Sequence, residues 1–198
     1  MQLIVSVLVF ALVATNVALL NAQTVKVEVY YEHLCPDSIR WVTNQLAPNY
    51  DDIRSVITIE FIPFGKSVSI NDGESFECQH GPAECEGNRI QSCVLHLLPE
   101  QDRQVSYVSC QMHADADPRG WECAFRSGVD LTETQTCVEG DQGRLLQLEA
   151  ERRTQQIAPS FVPTIVFNGQ FDQTLQDRAQ TDFLGVICEL SNNAIATC

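Results

Sequence analysis

Basic side chains are scarce in this chain: 12 Lys and Arg stand against 26 Asp and Glu, for a net charge of −14. That shortage argues against nucleic acid and anionic membranes as partners, because Lys and Arg contacts dominate both kinds of binding. The acidity itself reads as solubility. After residue 22 there is no N-x-[ST] acceptor for a glycan, no internal repeat, no low-complexity linker and no run that could span a bilayer. No Ser-His-Asp arrangement, phosphate-cradling glycine loop or carboxylate metal site stands out, so neither a cofactor nor a metal is expected. A composition of 44% hydrophobic and 19% charged residues belongs to a globular chain, and 198 residues suffice for one domain with a sizeable core.

Residues 1–22 hold no charge, and Ile4 to Leu20 is nearly continuous apolar sequence. This reads as a secretory signal peptide cut after Ala22, although the run lacks a basic start and Leu20 is large for its place. The competing reading is an uncleaved anchor, since the run is close to the roughly 20 residues that span a bilayer. Cleavage is preferred because the cysteines call for an oxidising compartment, and residues 23–198 are then a single domain. All nine cysteines follow the leader: Cys35, Cys78, Cys85, Cys93, Cys110, Cys123, Cys137, Cys188 and Cys198. Nine is odd. The simplest partition is four structural bridges among the last eight, with Cys35 left as the free thiol. Which cysteine pairs with which is open, since eight allow about 105 connectivities.

Hydrophobic spacing predicts a strand at about 25–31, where Val25, Val27, Val29 and Tyr31 alternate, then a helix at about 37–48 closed by Pro48-Asn49. A buried parallel strand follows at 56–62. Residues 63–140 hold six of the cysteines and read as an insertion of short helices at about 86–98, 102–112 and 121–127. A helix at 143–157 comes next, with Leu145, Leu148 and Arg152 along one face and Leu146 and Ala150 on the next. Its Glu149, Glu151, Arg152 and Arg153 read as a solvated face. Then come a strand at 164–167, a hairpin turn at Asn168-Gly169, a short returning strand from Phe171-Asp172 and a final helix at 177–191. The order β-α-β, helical insertion, α-β-β-α predicts an α/β fold of thioredoxin-like topology with a disulfide-rich helical insertion. Pro163 before a strand is accommodated if the Val162-Pro163 bond is cis.

The chemistry concentrates at Cys35-Pro36-Asp37-Ser38. A cysteine where a strand hands over to a helix meets the unpaired N–H groups and the dipole of the helix start, which favour its thiolate. Pro36 suits the first helical turn. Val162 and Pro163, with Pro36, are the expected substrate groove. Ser38 holds the place where a dithiol site has its resolving cysteine. A serine hydroxyl cannot attack sulfur, although it can donate a hydrogen bond to the Cys35 thiolate. Three outcomes follow: little or no reductase activity, slow turnover with an external thiol, or rescue by an unforeseen resolving cysteine. His33 reads as a solvated loop histidine, and Trp41 and Trp121 as core or groove-lining aromatics. His80 with the cysteines around it reads as turn and disulfide, not zinc, because the spacing is too wide for paired ligands.

Residues 78–93 read C-Q-H-G-P-A-E-C-E-G-N-R-I-Q-S-C. The pattern C-Q-H-G-x2-E-C-x2-N-x4-C resembles the signature of the gamma-interferon-inducible lysosomal thiol reductase (GILT) family. Cys78, Gln79, His80, Gly81, Glu84, Cys85, Asn88 and Cys93 all match it. Tyr31-Glu32, Leu34 to Asp37, Val162-Pro163-Thr164 and Asn168-Gly169 are also similar to the family's segments. The resemblance implies a secreted or lysosomal thioredoxin-fold protein, active in reducing protein disulfides and in host defence. Two departures stand out: serine at position 38, and no glycan acceptor of the kind the family uses to reach lysosomes. The expectation is therefore a secreted, monomeric GILT-like protein that meets a protein ligand or a disulfide-containing protein substrate. It would not touch membrane once its leader is removed.

Overall fold

The computed structural model describes residues 24–113, 116 and 120–198. The expected signal peptide, residues 1–22, lies outside the described residues. The chain opens with β1 (Val25–Tyr31), α1 (Pro36–Trp41), a π-helical segment (Val42–Leu46), α2 (Ala47–Ile53) and β2 (Ile57–Pro63). A hairpin of β3 (Val68–Ile70) and β4 (Ser75–Glu77) follows. Then come α3 (Pro82–Leu97), α4 (Gln101–Gln111), α5 (Trp121–Ser127), α6 (Leu131–Glu139) and α7 (Asp141–Ile157). The chain closes with β5 (Thr164–Phe167), α8 (Gln173–Ala179) and α9 (Phe183–Leu190).

Alternation in β1 sets the layers. Val25, Val27, Val29 and Tyr31 are completely buried on one face, against Trp41, Leu46, Val94, Phe183 and Ile187. Tyr30 turns to the other face, with Ile62, Phe64, Val166 and Ala150 of α7. A one-residue slip would push Lys26 and Glu28 into the larger core, so the register is strongly specified. β1 pairs parallel with β2 and antiparallel with β5, in the order β2-β1-β5. The two sheet edges are closed by glutamine side chains. Gln101 Oε1 accepts from the Ile59 N–H at 2.9 Å, and its amide donates to the Ile57 carbonyl. Gln176 Oε1 accepts from the Ile165 N–H at 2.7 Å, and its amide donates to the Pro163 carbonyl at 3.0 Å. Both occupy backbone groups that would otherwise invite another strand.

The cysteines in the described residues pair as Cys78–Cys85, Cys93–Cys137, Cys110–Cys123 and Cys188–Cys198. They fasten the loop after β4 to α3, α3 to α6, α4 to α5, and α9 to the last residue. Cys35 is the free thiol.

Several local expectations are corrected. Pro48 does not end the first helix, which runs on to Ile53. The Ala47 N–H reaches back to the Val42 carbonyl, so the wider turn delivers Pro48 into the first turn of α2, where no N–H is needed. The hairpin β3–β4 and helix α6 were not foreseen, because three-residue strands and a Thr-rich helix carry little periodicity. The buried face of α7 is Gly143, Gln147, Ala150 and Thr154, while Leu145 is exposed. Arg153 does not belong to a solvated face: it pairs with Glu28 at 2.7 Å and with Glu60. No returning strand forms at Phe171-Asp172. A single bridge joins Phe167 and Gln170, and Asp172 instead caps α8 by accepting from the Leu175 N–H. The final helix is two helices, because Asp182 caps a second one by accepting from the Gly185 N–H.

Candidate active site

Cys35 stands at the N-cap of the six-residue α1 in extended conformation, with Pro36 next in the first turn. It is 7% exposed. The Val162-Pro163 bond is cis, and the Cys35 thiol lies 3.7 Å from the Val162 carbonyl oxygen. The strand-to-helix junction and the loop before β5 thus meet, although 127 residues separate them. A groove of about 370 Å³ opens beside this contact, lined by Asp37, Arg40, Phe161, Val162, Pro163, Gln176, Asp177, Gln180 and Thr181. Val162 and Pro163 line it. Pro36 does not, and sits exposed at its margin. Asp37 and Arg40 pair at 2.7 Å across one turn, and the Phe161 and Phe171 rings lie 6.3 Å apart.

Ser38 is completely buried, and its hydroxyl oxygen lies 3.5 Å from the Glu32 N–H. Among the described residues no hydrogen bond from Ser38 to Cys35 is found. The serine ties the start of α1 to the end of β1, while the thiol faces the proline loop.

The floor of the Cys35 loop is the N-terminal half of α3, and sequence reasoning missed its role. Glu84, Asn88 and Gln91 lie one turn apart on one helix face, and all are fully buried. Glu84 accepts from the Leu34 N–H at 3.2 Å and from the His80 N–H at 2.9 Å. Asn88 accepts from the His33 N–H at 2.8 Å. The Gln91 amide meets His33 Nδ1 at 2.9 Å, and its oxygen accepts from the Tyr31 hydroxyl. An amide nitrogen only donates, so His33 Nδ1 accepts and its proton resides on Nε2. His33 is therefore a buried, positioned residue and not a solvated one; it is 3% exposed. Gly87 makes this possible, since a Cβ there would lie 2.1 Å from the His33 ring. The pattern Glu84-x3-Asn88 was visible in the sequence. Its direction, toward Cys35 and not merely toward the disulfides, was not.

Glu32 is a second buried acid of the site, beside Glu84. Gly65, at φ +57°, leaves space for it; a Cβ there would lie 2.4 Å from Glu32 Cγ. Burial pushes the Glu32 carboxyl up to about 7 from an ordinary 4.5, partly offset by the Lys66 N–H that it accepts at 2.6 Å. Cys78 and Cys85 are bonded to each other and supply no thiolate for a metal.

A profile of the family described as "Gamma interferon inducible lysosomal thiol reductase (GILT)" matches residues 26–127. The matched span holds Cys35 and the whole α3 floor. This chain belongs to the GILT family. Its relatives include "GILT-like protein 1" of Drosophila melanogaster, 34% identical across 85% of this chain and 76% of that one. Another is the "Gamma-interferon-inducible lysosomal thiol reductase" of Carassius auratus, 32% identical across 86% of this chain and 70% of that one. Among solved structures, the reduced disulfide bond oxidoreductase DsbG of Mycobacterium tuberculosis superposes with a TM-score of 0.53 at 16% identity, covering 88% of this chain and 85% of that one. A thioredoxin-like oxidoreductase from Silicibacter pomeroyi gives 0.52 at 13% identity, covering 83% and 88%. The fold is thioredoxin-like, as expected, and GILT membership assigns a role of the disulfide-reductase type. Among the described residues no helix is long and apolar enough to cross a membrane.

Proposed function

We propose that this GILT protein is secreted and engages protein ligands through the groove beside Cys35, with dithiol reductase turnover weak or lost. One observation carries the reading: Cys35 is the free cysteine while the other eight are paired, and the resolving position holds the buried Ser38. A resolving thiol elsewhere in the chain is therefore not supported. Secretion is supported by the apolar leader of residues 1–22 and by the four disulfides, and a lysosomal address is the alternative that membership suggests.

A second reading, monothiol reduction or isomerisation, is favoured by the placement of Cys35 against the cis-proline loop. The Cys35 thiolate attacks one sulfur of a substrate disulfide, forming a mixed disulfide and releasing the other sulfur as a thiolate. An external thiol such as glutathione then attacks Cys35 Sγ and frees the second substrate thiol. A second external thiol releases Cys35, so two external thiols are oxidised to one disulfide and one substrate disulfide is reduced.

Turnover of a protein disulfide, measured from acidic to neutral pH with and without glutathione, separates the readings. Negligible turnover without glutathione is expected. Rates equal to those of a two-cysteine GILT relative would overturn the first reading, and identical rates for the parent and Cys35→Ser would overturn the second.

A further inference from the structure

We propose that Glu32, His80 and Glu84 form a binding site for one divalent cation of the zinc type, placed between the Cys35 loop and the Cys78–Cys85 loop. No such site stood out in the sequence, because these residues are brought together only by the packing of α3 beneath the end of β1. One donor atom from each lies within 4.8 Å of the others. His80 Nδ1 is 2.6 Å from Glu84 Oε2 and 4.0 Å from Glu32 Oε2. Both carboxylates are completely buried.

The second observation is an orphan. Glu32 Oε1 accepts from the Lys66 N–H, but Glu32 Oε2 is buried with no hydrogen-bond partner and lies on the side of His80. Among the described residues, His80 is the one ion-pair partner of either carboxylate. Two buried carboxylates therefore face one imidazole. Buried carboxylates with uncompensated charge are expensive, and a bound cation removes that cost.

The donor set suits zinc. Zinc accepts carboxylate oxygen and imidazole nitrogen at about 2.0–2.2 Å in a tetrahedral arrangement, and sites with three protein ligands leave one position to water. Such donors sit about 3.3 Å apart, so His80 Nδ1 would draw back from Glu84 and close on Glu32. The His80 side chain is 39% exposed on a surface loop, which permits that movement and leaves the fourth position open to solvent.

The ligands are already oriented by outer contacts. Glu84 Oε1 accepts from the His80 N–H, and Glu84 Oε2 accepts from the Leu34 N–H, one residue before Cys35. The Cys78–Cys85 bridge brackets His80 and Glu84, so two ligands come from one disulfide-closed loop and the third from the chain entering the Cys35 loop. An ion here would clamp the two loops together.

The test is calorimetric titration of zinc chloride into the full chain, disulfides formed and metal removed with chelator, at neutral pH. One zinc per chain is expected, together with a zinc-dependent rise in the thermal midpoint. His80→Ala changes an exposed side chain and keeps the fold; it should weaken binding by at least about tenfold and abolish the thermal shift. Glu32→Gln, of equal size, should do the same. Absence of saturable uptake by the parent, or uptake unchanged in both variants, would overturn the proposal. Neither result bears on turnover, so failure here is distinguishable from failure of the proposed function.

Discussion

The Cys35 junction and the first half of α3 face each other, and they differ in how fully their polar groups are used. The junction is spare: one thiol, a six-residue helix and a serine whose hydroxyl is spent on the Glu32 backbone. Helix α3 is more heavily used, with Glu84, Asn88 and Gln91 each bonded to the segment that carries the thiol. The Cys35 loop is thus held from below by three buried side chains, while position 38 carries a hydroxyl in place of a thiol. Removing a resolving thiol changes one atom at the surface of the reaction. Removing a buried acceptor in α3 leaves an N–H unpaired in the interior, which the fold tolerates poorly.

The largest way to break this contrast is Ser38→Cys, which adds the missing sulfur to an intact support. Dithiol turnover should rise by at least about a hundredfold over that obtained with millimolar external thiol, because an intramolecular resolving group acts at high effective molarity. The assay is reduction of a protein disulfide in single and multiple turnovers. No gain would mean that the groove itself has ceased to admit substrate.

Glu32 sharpens the contrast through pH. Its carboxyl holds the proton more tightly folded, near 7, than unfolded, near 4.5. The folded state is thus favoured most below 4.5, loses stability as pH rises through that window, and levels off above about 7. The loss is on the order of 3 kcal/mol, with Glu84 and His80 facing the same group. Urea midpoints across this range, in chelator, should show the slope, and Glu32→Gln should flatten it.

The smallest effect is expected at Asn88. Its replacement by Ala leaves the buried His33 N–H unpaired, at a cost of about 1–3 kcal/mol. Denaturant unfolding measures that cost. Faster alkylation of Cys35 should accompany it if α3 positions the loop; lowered stability with unchanged alkylation would reduce α3 to scaffolding.

Legibility differed along the chain for physical reasons. Long periodic segments such as β1, α3 and α7 declared themselves. The three-residue strands did not, and α7 misled because its apolar leucines lie beside the buried stripe of Gly143, Gln147, Ala150 and Thr154. A polar buried face is invisible to a hydrophobic period. For the same reason His33 reads from sequence as a solvated loop residue, and nothing marks Glu32 and Glu84 as interior, although the fold places all three inside.

By itself the sequence determined the strand-to-helix cysteine, the serine three residues after it, the odd cysteine count and the signature around α3. These are covalent facts, or patterns with a fixed local meaning. Only the tertiary structure decided the cysteine pairing, the approach of Cys35 to Val162, and the packing of α3 under the thiol loop. Those depend on residues far apart in the chain being buried together, where unpaired polar groups are costly and most find a partner.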